Sequence, residues 1–293
     1  MILRIAAILS LWLALNCPAA EPSTNYTRIE DVIYGRKSGT ALTLDVFTPA
    51  KPNGYGIIGV VSGGWFSSHD AVSAGNFMPL LNRGYTVFAV VHGSQPKFTI
   101  TEITADLHRA VRFIRHNAAK YKVDPNKLGI TGGSAGGHLS LTMGTQGGPG
   151  KESAKDPVDR ESSSIQAVAC FFPPTDFLNY GEPGEDAVGF GRLKNFKPAF
   201  GTGLDTPEER KELGKKISPF YFISTNTPPT LIMHGDADQL VPIYQARIFV
   251  DRCKELGVPA KLVVREGAQH GWKDMPKDIE VFADWFDQHL RKL

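Results

Sequence analysis

A serine stands at the centre of the segment Gly132-Gly133-Ser134-Ala135-Gly136-Gly137. This G-x-S-x-G pattern lies between a short apolar run and a helical pattern, as expected for a sharp turn from a strand into a helix. Such a turn exposes the serine hydroxyl, and small residues two positions before and after it let the backbone fold that tightly. The bare pattern also arises by chance, so its place between strand and helix is what predicts a nucleophile at Ser134.

A nucleophilic serine needs a base, and the base needs an acid that orients it. The histidines that follow Ser134 are His138, His234, His270 and His289. His138 lies one helical turn beyond the serine and is too close to fold back onto it, His234 ends a predicted strand, and His289 belongs to the last predicted helix. His270 lies in a glycine-flanked loop after the last predicted strand, from which it can reach the serine. It is the predicted base.

Two aspartates are candidates for the acid, and both lie in the segment His234-Gly235-Asp236-Ala237-Asp238. Either aspartate could instead cap the helix that follows, as aspartates in turns often do. The segment also contains metal-ligand residue types, but no second ligand group at a suitable spacing accompanies it, so no metal is expected. The residues by themselves leave Asp236 and Asp238 both open.

Backbone N–H groups must stabilise the oxyanion that forms when a serine attacks a carbonyl. One donor is expected from Ala135, the residue after the nucleophile, and another from the loop Ser62-Gly63-Gly64-Trp65-Phe66, which follows an earlier strand. The two glycines of this loop let backbone amides approach a ligand closely. An ordinary glycine turn is the alternative interpretation.

The elements that would position these residues alternate between strands and helices. Segments 26–34 and 41–47 flank the turn Lys37-Ser38-Gly39 and predict an antiparallel hairpin. Continuous apolar runs then predict strands buried on both faces at 56–61, 86–91, 128–131, 165–172, 230–233 and 261–264. Apolar periodicity predicts helices at 103–118, 242–257 and 276–291. This order predicts a mostly parallel α/β sheet with helices on both faces.

Two stretches interrupt the alternation. Residues 144–164 are polar and rich in glycine, proline and lysine, which predicts a surface loop. Residues 177–216 carry glycines and prolines among aromatic residues and are too long for a simple connection, so we predict a small cap or lid insertion. No internal repeat is visible, and residues 21–293 are expected to form a single domain.

Composition excludes several classes of protein. Of 293 residues, 42% are hydrophobic and 21% charged, which is ordinary for a globular chain and too apolar for a disordered one. A net charge of +2 without a run of like charges gives no argument for a nucleic-acid partner. Cys170 and Cys253 lie in apolar surroundings and are predicted to be buried free thiols.

Residues 1–20 have the features of a signal peptide. Arg4 precedes an apolar run that is too short to span a bilayer, and Ala19-Ala20 follow Pro18. This predicts cleavage near residue 20 and a secreted or periplasmic protein without stable membrane insertion. A membrane anchor is the alternative interpretation of the same segment.

Together these segments resemble the α/β-hydrolase superfamily. More narrowly, they resemble the esterases that include the hormone-sensitive-lipase-like and the bifunctional feruloyl/acetyl-xylan (BD-FAE-like) esterases. The resemblance covers nearly all of residues 30–290. It rests on GGSAGGH at 132–138, PPTD at 173–176, HGDADQLVP at 234–242 and AQHGW at 268–272.

The resemblance implies roles for particular residues. The family's acid is the aspartate three positions before Val-Pro, which is Asp238 here. The family usually has His-Gly-Gly-Gly in the oxyanion loop, where this chain has Ser62-Gly63-Gly64-Trp65. The donors carried over are the backbone N–H groups of Gly64, Trp65 and Ala135.

The implied activity is that of a serine carboxylesterase with the triad Ser134, His270 and Asp238, working without metal or cofactor. The implied substrates are short-chain or aromatic acyl esters, including acetyl and feruloyl groups on carbohydrate. Phe66 and Trp272, with the neighbouring Trp65 ring, are pocket candidates because aromatic faces can stack on such groups. Packing in the core is the alternative for these rings.

Two other functions stay open from the sequence. One is a prolyl-oligopeptidase-like serine peptidase with the same triad, although the chain lacks the large extra domain usual in such peptidases. The other is a non-catalytic binding protein on the same fold, which a missing triad member would have favoured.

Overall fold

A computed structural model describes residues 25–291, so the predicted signal peptide at residues 1–20 lies outside the described residues. Strands β1 (Tyr26–Lys37) and β2 (Thr40–Pro49) pair antiparallel around a tight turn at Ser38 and Gly39, which both have a positive φ. The predicted hairpin is therefore present. Its second strand joins it to the rest of the sheet.

Six further strands complete one sheet in the described part of the chain. They are β3 (Gly56–Val61), β4 (Thr86–Val91), β5 (Leu128–Gly133), β6 (Ala167–Phe171), β7 (Thr230–Gly235) and β8 (Ala260–Arg265). The strand order is β1-β2-β4-β3-β5-β6-β7-β8, with β2 antiparallel to β4 and all later pairs parallel. This arrangement is the α/β-hydrolase fold, as predicted.

The helices lie on both faces of the sheet. They are α1 (Met78–Asn82), α2 (Ile100–His116), α3 (Ala135–Gln146), α4 (Lys197–Phe200), α5 (Pro207–Ile217), α6 (Tyr244–Glu255) and α7 (Met275–Leu290). Helices α2, α3 and α6 pack into one buried apolar cluster, and α1 and α7 into another. Neighbouring strand residues such as Ile57 and Ile58 enter different clusters, because successive side chains of a strand point to opposite faces.

Strand β8 differs from its prediction. The sequence predicts a strand buried on both faces at 261–264, but every residue of β8 is at least partly exposed, and Val264 is 39% exposed. The prediction of burial was wrong because β8 is the last strand of the sheet and pairs only with β7 among the described residues. An apolar run alone does not distinguish an edge strand from an inner one.

The two irregular stretches are tied to the fold by polar contacts and aromatic packing. Loop 144–164 runs over the surface, where Asp156 and Asp159 each bind Arg109 of α2 at 2.7 and 2.8 Å. Segment 177–216 contains α4 and most of α5, and it brings Phe196 and Phe200 against the ring of Trp65. Its role as a cap stays a prediction.

Cys170 and Cys253 are buried and free, as predicted. Burial raises the pKa of both thiols, that of Cys253 to about 12, which keeps them protonated and unreactive at neutral pH. Within residues 25–291, no helix combines the length and the apolar character needed to cross a bilayer.

The stability of the folded state is expected to depend on pH, because two histidines are deeply buried. Burial lowers the pKa of His92 and of His138 to about 4, below the value of about 6.5 expected in the unfolded chain. As the pH falls below 6.5, the unfolded state therefore takes up protons that the folded state does not, so stability present above 6.5 is lost toward pH 4.

When the pH is lowered from 7 to 5, the free energy of unfolding should fall by about 2 kcal/mol for each of these histidines. The measurement is urea unfolding at both pH values and constant ionic strength, followed by circular dichroism. An unchanged denaturation midpoint would contradict the assignment of both histidines as neutral buried groups.

Candidate active site

Ser134 occupies a strained turn between β5 and α3. Its φ of 55° and ψ of −119° are rare for a residue with a side chain, and its N–H donates to the carbonyl of Phe171 at 3.0 Å. The flanking glycines are required by sterics, because a Cβ on Gly132 would lie 2.5 Å from the carbonyl oxygen of Gly136. The small-residue pattern in the sequence therefore corresponds to a close crossing of the backbone around the serine.

A hydrogen-bonded chain links the three residues predicted as a triad. His270 Nε2 lies 2.9 Å from Ser134 Oγ, and His270 Nδ1 lies 2.7 Å from Asp238 Oδ2. The three residues come from separate loops, each following the carboxyl end of a strand: β5, β7 and β8. Parallel strands bring these loops to one edge of the sheet, which explains how residues 136 positions apart in the chain meet.

Asp238 is held as a buried carboxylate. Its Oδ1 accepts the backbone N–H groups of Leu240 and Val241 at 2.9 and 3.0 Å, which leaves Oδ2 for His270. His234 Nε2 lies 3.5 Å from Oδ2, although its main partner is the carbonyl of Val241 at 2.8 Å. Burial raises the pKa of Asp238, but the hydrogen bonds from these groups outweigh it and hold the pKa well below its usual value.

Asp236, the other candidate acid, has a different partner. Its Oδ1 accepts the N–H of Gly267 at 2.6 Å, which fastens the loop that carries His270. The two segments also pack closely at the backbone, since a Cβ on Gly235 would lie 2.2 Å from the carbonyl oxygen of Ala268 in the His270 loop. The structure therefore brings Asp238, and not Asp236, to His270.

The remaining histidines lie away from the serine hydroxyl. His138 is buried in α3 and bonds to Trp65 and to the carbonyl of Ile217. His289 lies in α7 against the ring of Trp285, with 4.1 Å between centroids. The histidine that contacts Ser134 Oγ is His270.

The turn at 63–66 leaves two backbone donors unused. Gly63 and Phe66 exchange N–H···O=C bonds of 2.9 Å in both directions, and the two residues between them, Gly64 and Trp65, have φ values of 55° and 59°. The N–H groups of Gly64 and Trp65 have no hydrogen-bond partner among the described residues.

Ala135 is the first residue of α3, where backbone N–H groups lack partners within the helix. Gly64 has no room for a side chain, since a Cβ there would lie 2.4 Å from Phe196.

A cavity of about 760 Å³ opens beside these groups and is lined by Ser134, His270 and Gly64. Most of its wall is apolar, including Phe77, Leu80, Phe172, Phe196, Met275 and Ile279. Phe66 also lines it and is 55% exposed, so the structure places this candidate at the cavity. The ring of Trp65 is fully buried instead, packed against Phe177, Phe196 and Phe200.

Trp272, the other pocket candidate, is not among the residues that line this cavity. Its indole N–H donates to Asp278 at 2.6 Å, and its ring packs edge-on against Phe171 and Phe172. Arg265 binds the same Asp278. Trp272 thus joins the His270 loop to α7 behind the cavity wall. Its place beside Gly271 in the sequence does not reveal the direction in which its side chain points.

Sequence reasoning missed several cavity residues and one polar grouping. The Phe172 ring packs at a tilted angle against His270, with 4.4 Å between ring centroids, and its position just after β6 was the available signal. Asp31, Asp45 and His69 also lie close enough to offer metal ligands. However, both carboxylate oxygens of Asp45 already accept hydrogen bonds within the hairpin, one from Arg28 Nε at 2.8 Å and the other from the N–H of Asp31 at 3.0 Å.

The chain is similar to known esterases. The esterase LipQ of Mycobacterium tuberculosis is 29% identical over 188 residues, which are 61% of this chain and 41% of that protein. An acetylxylan esterase of Xylanibacter ruminicola is 25% identical over 248 residues, 83% of this chain and 44% of that protein. The chain spans about half the length of the curated relatives it matches.

Among solved structures, a truncated carbohydrate esterase from gut microbiota superposes with a TM-score of 0.77 at 27% identity. The match covers 91% of this chain and 99% of that one. The BD-FAE family model matches residues 44–253, a range that contains Ser134 and Asp238 and ends before His270. The chain therefore belongs to the BD-FAE family of α/β-hydrolase esterases.

Proposed function

We propose that this protein hydrolyses carboxylic esters through the triad Ser134, His270 and Asp238 and a covalent acyl-enzyme. The observation that carries the proposal is the unbroken chain from Ser134 Oγ through His270 to Asp238, at the wall of an apolar cavity. The esterases among its relatives and structural neighbours support the same reaction. A non-catalytic binding protein would have no need for this alignment.

Acylation begins when Ser134 Oγ attacks the ester carbonyl carbon and its proton passes to His270 Nε2. Asp238 stabilises the imidazolium and holds its Nδ1–H toward the carboxylate. The tetrahedral intermediate then collapses as the bond to the alcohol oxygen breaks, and His270 returns the proton to that oxygen. Ser134 is left carrying the acyl group.

Deacylation repeats these steps with water. A water molecule attacks the acyl carbon while His270 takes one of its protons, and the second tetrahedral intermediate forms. The bond to Ser134 Oγ breaks, His270 protonates that oxygen, and the carboxylic acid leaves. The enzyme returns to its starting protonation state.

The N–H groups of Gly64, Trp65 and Ala135 are the proposed oxyanion hole. The first two have no hydrogen-bond partner within the described chain, and the third begins the helix that follows Ser134. Such donors cost no reorganisation when charge develops on the carbonyl oxygen, and removing one typically costs about 10²–10³ in kcat. The change from the usual His-Gly-Gly-Gly leaves these backbone donors in place.

The proposed substrates are short-chain or aromatic acyl esters, including acetyl or feruloyl groups on carbohydrate. An exposed aromatic ring, Phe66, at the edge of the cavity offers a face for a sugar or an aryl group. Segment 177–216 carries charged residues such as Glu182, Glu185 and Lys194 rather than the long apolar face expected of a lipid-binding lid. The acetylxylan esterase and carbohydrate esterase among the matches support this class.

The substrate proposal predicts a maximum of kcat/KM at acetyl to butyryl among p-nitrophenyl esters, together with release of acetate or ferulate from xylan. The reason is the exposed Phe66 ring at the edge of the cavity, together with the charged residues that segment 177–216 carries in place of a long apolar face. The measurement compares the acyl series, acetylated xylan, a feruloylated xylan and a peptide p-nitroanilide. A maximum at long acyl chains with no release from xylan, or faster cleavage of the peptide, would contradict the proposal.

We also propose that the protein is exported, on the basis of residues 1–20 alone. Export would bring the enzyme to polymeric substrates outside the cytoplasm. The intact mass of the protein recovered from the periplasm or medium tests this, since removal of a signal peptide shortens the chain by about 20 residues.

A further inference from the structure

Trp65 has a backbone conformation that a bulky residue rarely adopts. Its φ of 59° lies in the left-handed region, and such residues persist only where their surroundings fix them. The usual family pattern has glycine at this position, for which the conformation carries no steric penalty. Something else in this chain must therefore hold the turn in place.

Gln95 holds the carbonyl side of the turn. Its side-chain Nε2 donates to the carbonyl of Gly64 at 3.2 Å, and its backbone N–H donates to the carbonyl of Trp65 at 3.2 Å. In a trans peptide the C=O and the N–H point in opposite directions. By binding the Gly64 carbonyl, Gln95 therefore directs the N–H of Trp65, which belongs to the same peptide unit, away from itself.

His138 holds the side chain of the same tryptophan. The indole N–H of Trp65 donates to His138 Nδ1 at 3.2 Å, and His138 Nε2–H donates to the carbonyl of Ile217 at 2.7 Å. The second bond requires the proton on Nε2 and leaves Nδ1 free to accept. Because burial lowers the pKa of His138, the ring stays neutral at neutral pH and can keep both bonds. His138 also lies one helical turn after Ser134, so it links the nucleophile's helix to the oxyanion turn.

We propose that Gln95 and His138 are positioning residues that lock the Gly64–Trp65 peptide with its N–H toward the substrate's oxyanion. Gln95 sets the orientation of the peptide plane. His138 fixes the indole ring of Trp65 and thereby restrains the backbone of the same residue. The proposal rests on the proposed function, because it assigns these two residues a role in the oxyanion hole of that reaction.

The main test replaces the side-chain donor of Gln95 by an acceptor of nearly the same shape. In Gln95→Glu the carboxylate repels the Gly64 carbonyl, so the peptide loses its preferred direction. We expect kcat for p-nitrophenyl butyrate to fall about 10²-fold, as for loss of one oxyanion donor, while KM changes less than threefold. Gln288→Glu makes the same chemical change at an exposed site of α7 and should leave both constants unchanged.

A second readout isolates the oxyanion. A trifluoromethyl ketone forms a tetrahedral adduct with an active serine, and its affinity should fall in Gln95→Glu by the same factor as kcat/KM. Trp65→Phe, which keeps a ring but removes the indole donor to His138, should lower kcat about tenfold. Gln95→Met removes the donor without adding charge, and it replaces Gln95→Glu if circular dichroism shows that the carboxylate disturbs folding.

The possible outcomes distinguish a failure of the roles of Gln95 and His138 from a failure of the proposed esterase function. An inactive wild-type enzyme would contradict the esterase assignment itself. The second case is an active wild type. If the kcat and the ketone affinity of Gln95→Glu, or of Gln95→Met in its place, then lie within twofold of the wild-type values, the proposed role of Gln95 is overturned. Unchanged constants in Trp65→Phe would overturn the role of His138.

Discussion

Replacement of Ser134 by alanine is expected to lower kcat for ester hydrolysis on the order of 10⁶-fold, the loss found when the nucleophile of a comparable triad is removed. The substitution deletes one oxygen atom, the one that lies 2.9 Å from His270 Nε2. The fold should survive, because the turn depends on backbone hydrogen bonds and on the flanking glycines. Initial rates with p-nitrophenyl acetate and butyrate, at equal thermal stability, give the measurement.

Ser153→Ala is a suitable control, since Ser153 lies exposed in loop 144–164. Its activity should equal that of the wild type. If Ser134→Ala kept activity within tenfold of the wild type while remaining folded, the triad assignment would fail.

Replacement of Asp238 by asparagine should lower kcat about 10⁴-fold, as in a comparable triad. An amide at this position can donate to His270 Nδ1, which moves the imidazole proton to Nε2 and removes the acceptor that Ser134 needs. The substitution is nearly isosteric, so KM should change far less than kcat. The measurement is the full dependence of rate on ester concentration for both proteins.

Asp236→Asn is the matched control for this variant. Asp236 lies two residues away but accepts the N–H of Gly267, and an asparagine oxygen can still accept that bond. We expect a loss of less than about tenfold, from weaker anchoring of the His270 loop. If Asp236→Asn proved the more damaging of the two, the wrong aspartate would have been assigned as the acid.

The position of Asp238 shows how far sequence reasoning extends. Two aspartates follow β7, and nothing in residue type or spacing separates them, because both lie in one turn at the same sheet edge. The family pattern selects Asp238, and the structure places it 2.7 Å from His270. The strands that carry these loops were predictable as strands from their apolar runs, although the burial predicted for β8 was wrong.

Other features depended on contacts that local sequence does not encode. The direction of Trp272 is set by Asp278 in the next helix, and the exposure of β8 is set by its place at the end of the sheet. The bond from Gln95 to Gly64 joins residues 31 positions apart, in loops after β4 and β3. Without a strand order, the sequence gives no reason to connect these two loops.

Covalent labelling can identify the nucleophile that is assigned to Ser134. An alkyl fluorophosphonate reacts with an activated serine hydroxyl and leaves a stable adduct of known mass, which peptide mass spectrometry can assign to one residue. One adduct is expected, on Ser134, formed in step with loss of esterase activity and absent from Ser134→Ala. A label on another residue that accompanies the loss of activity, or full inactivation without any adduct on Ser134, would contradict this assignment.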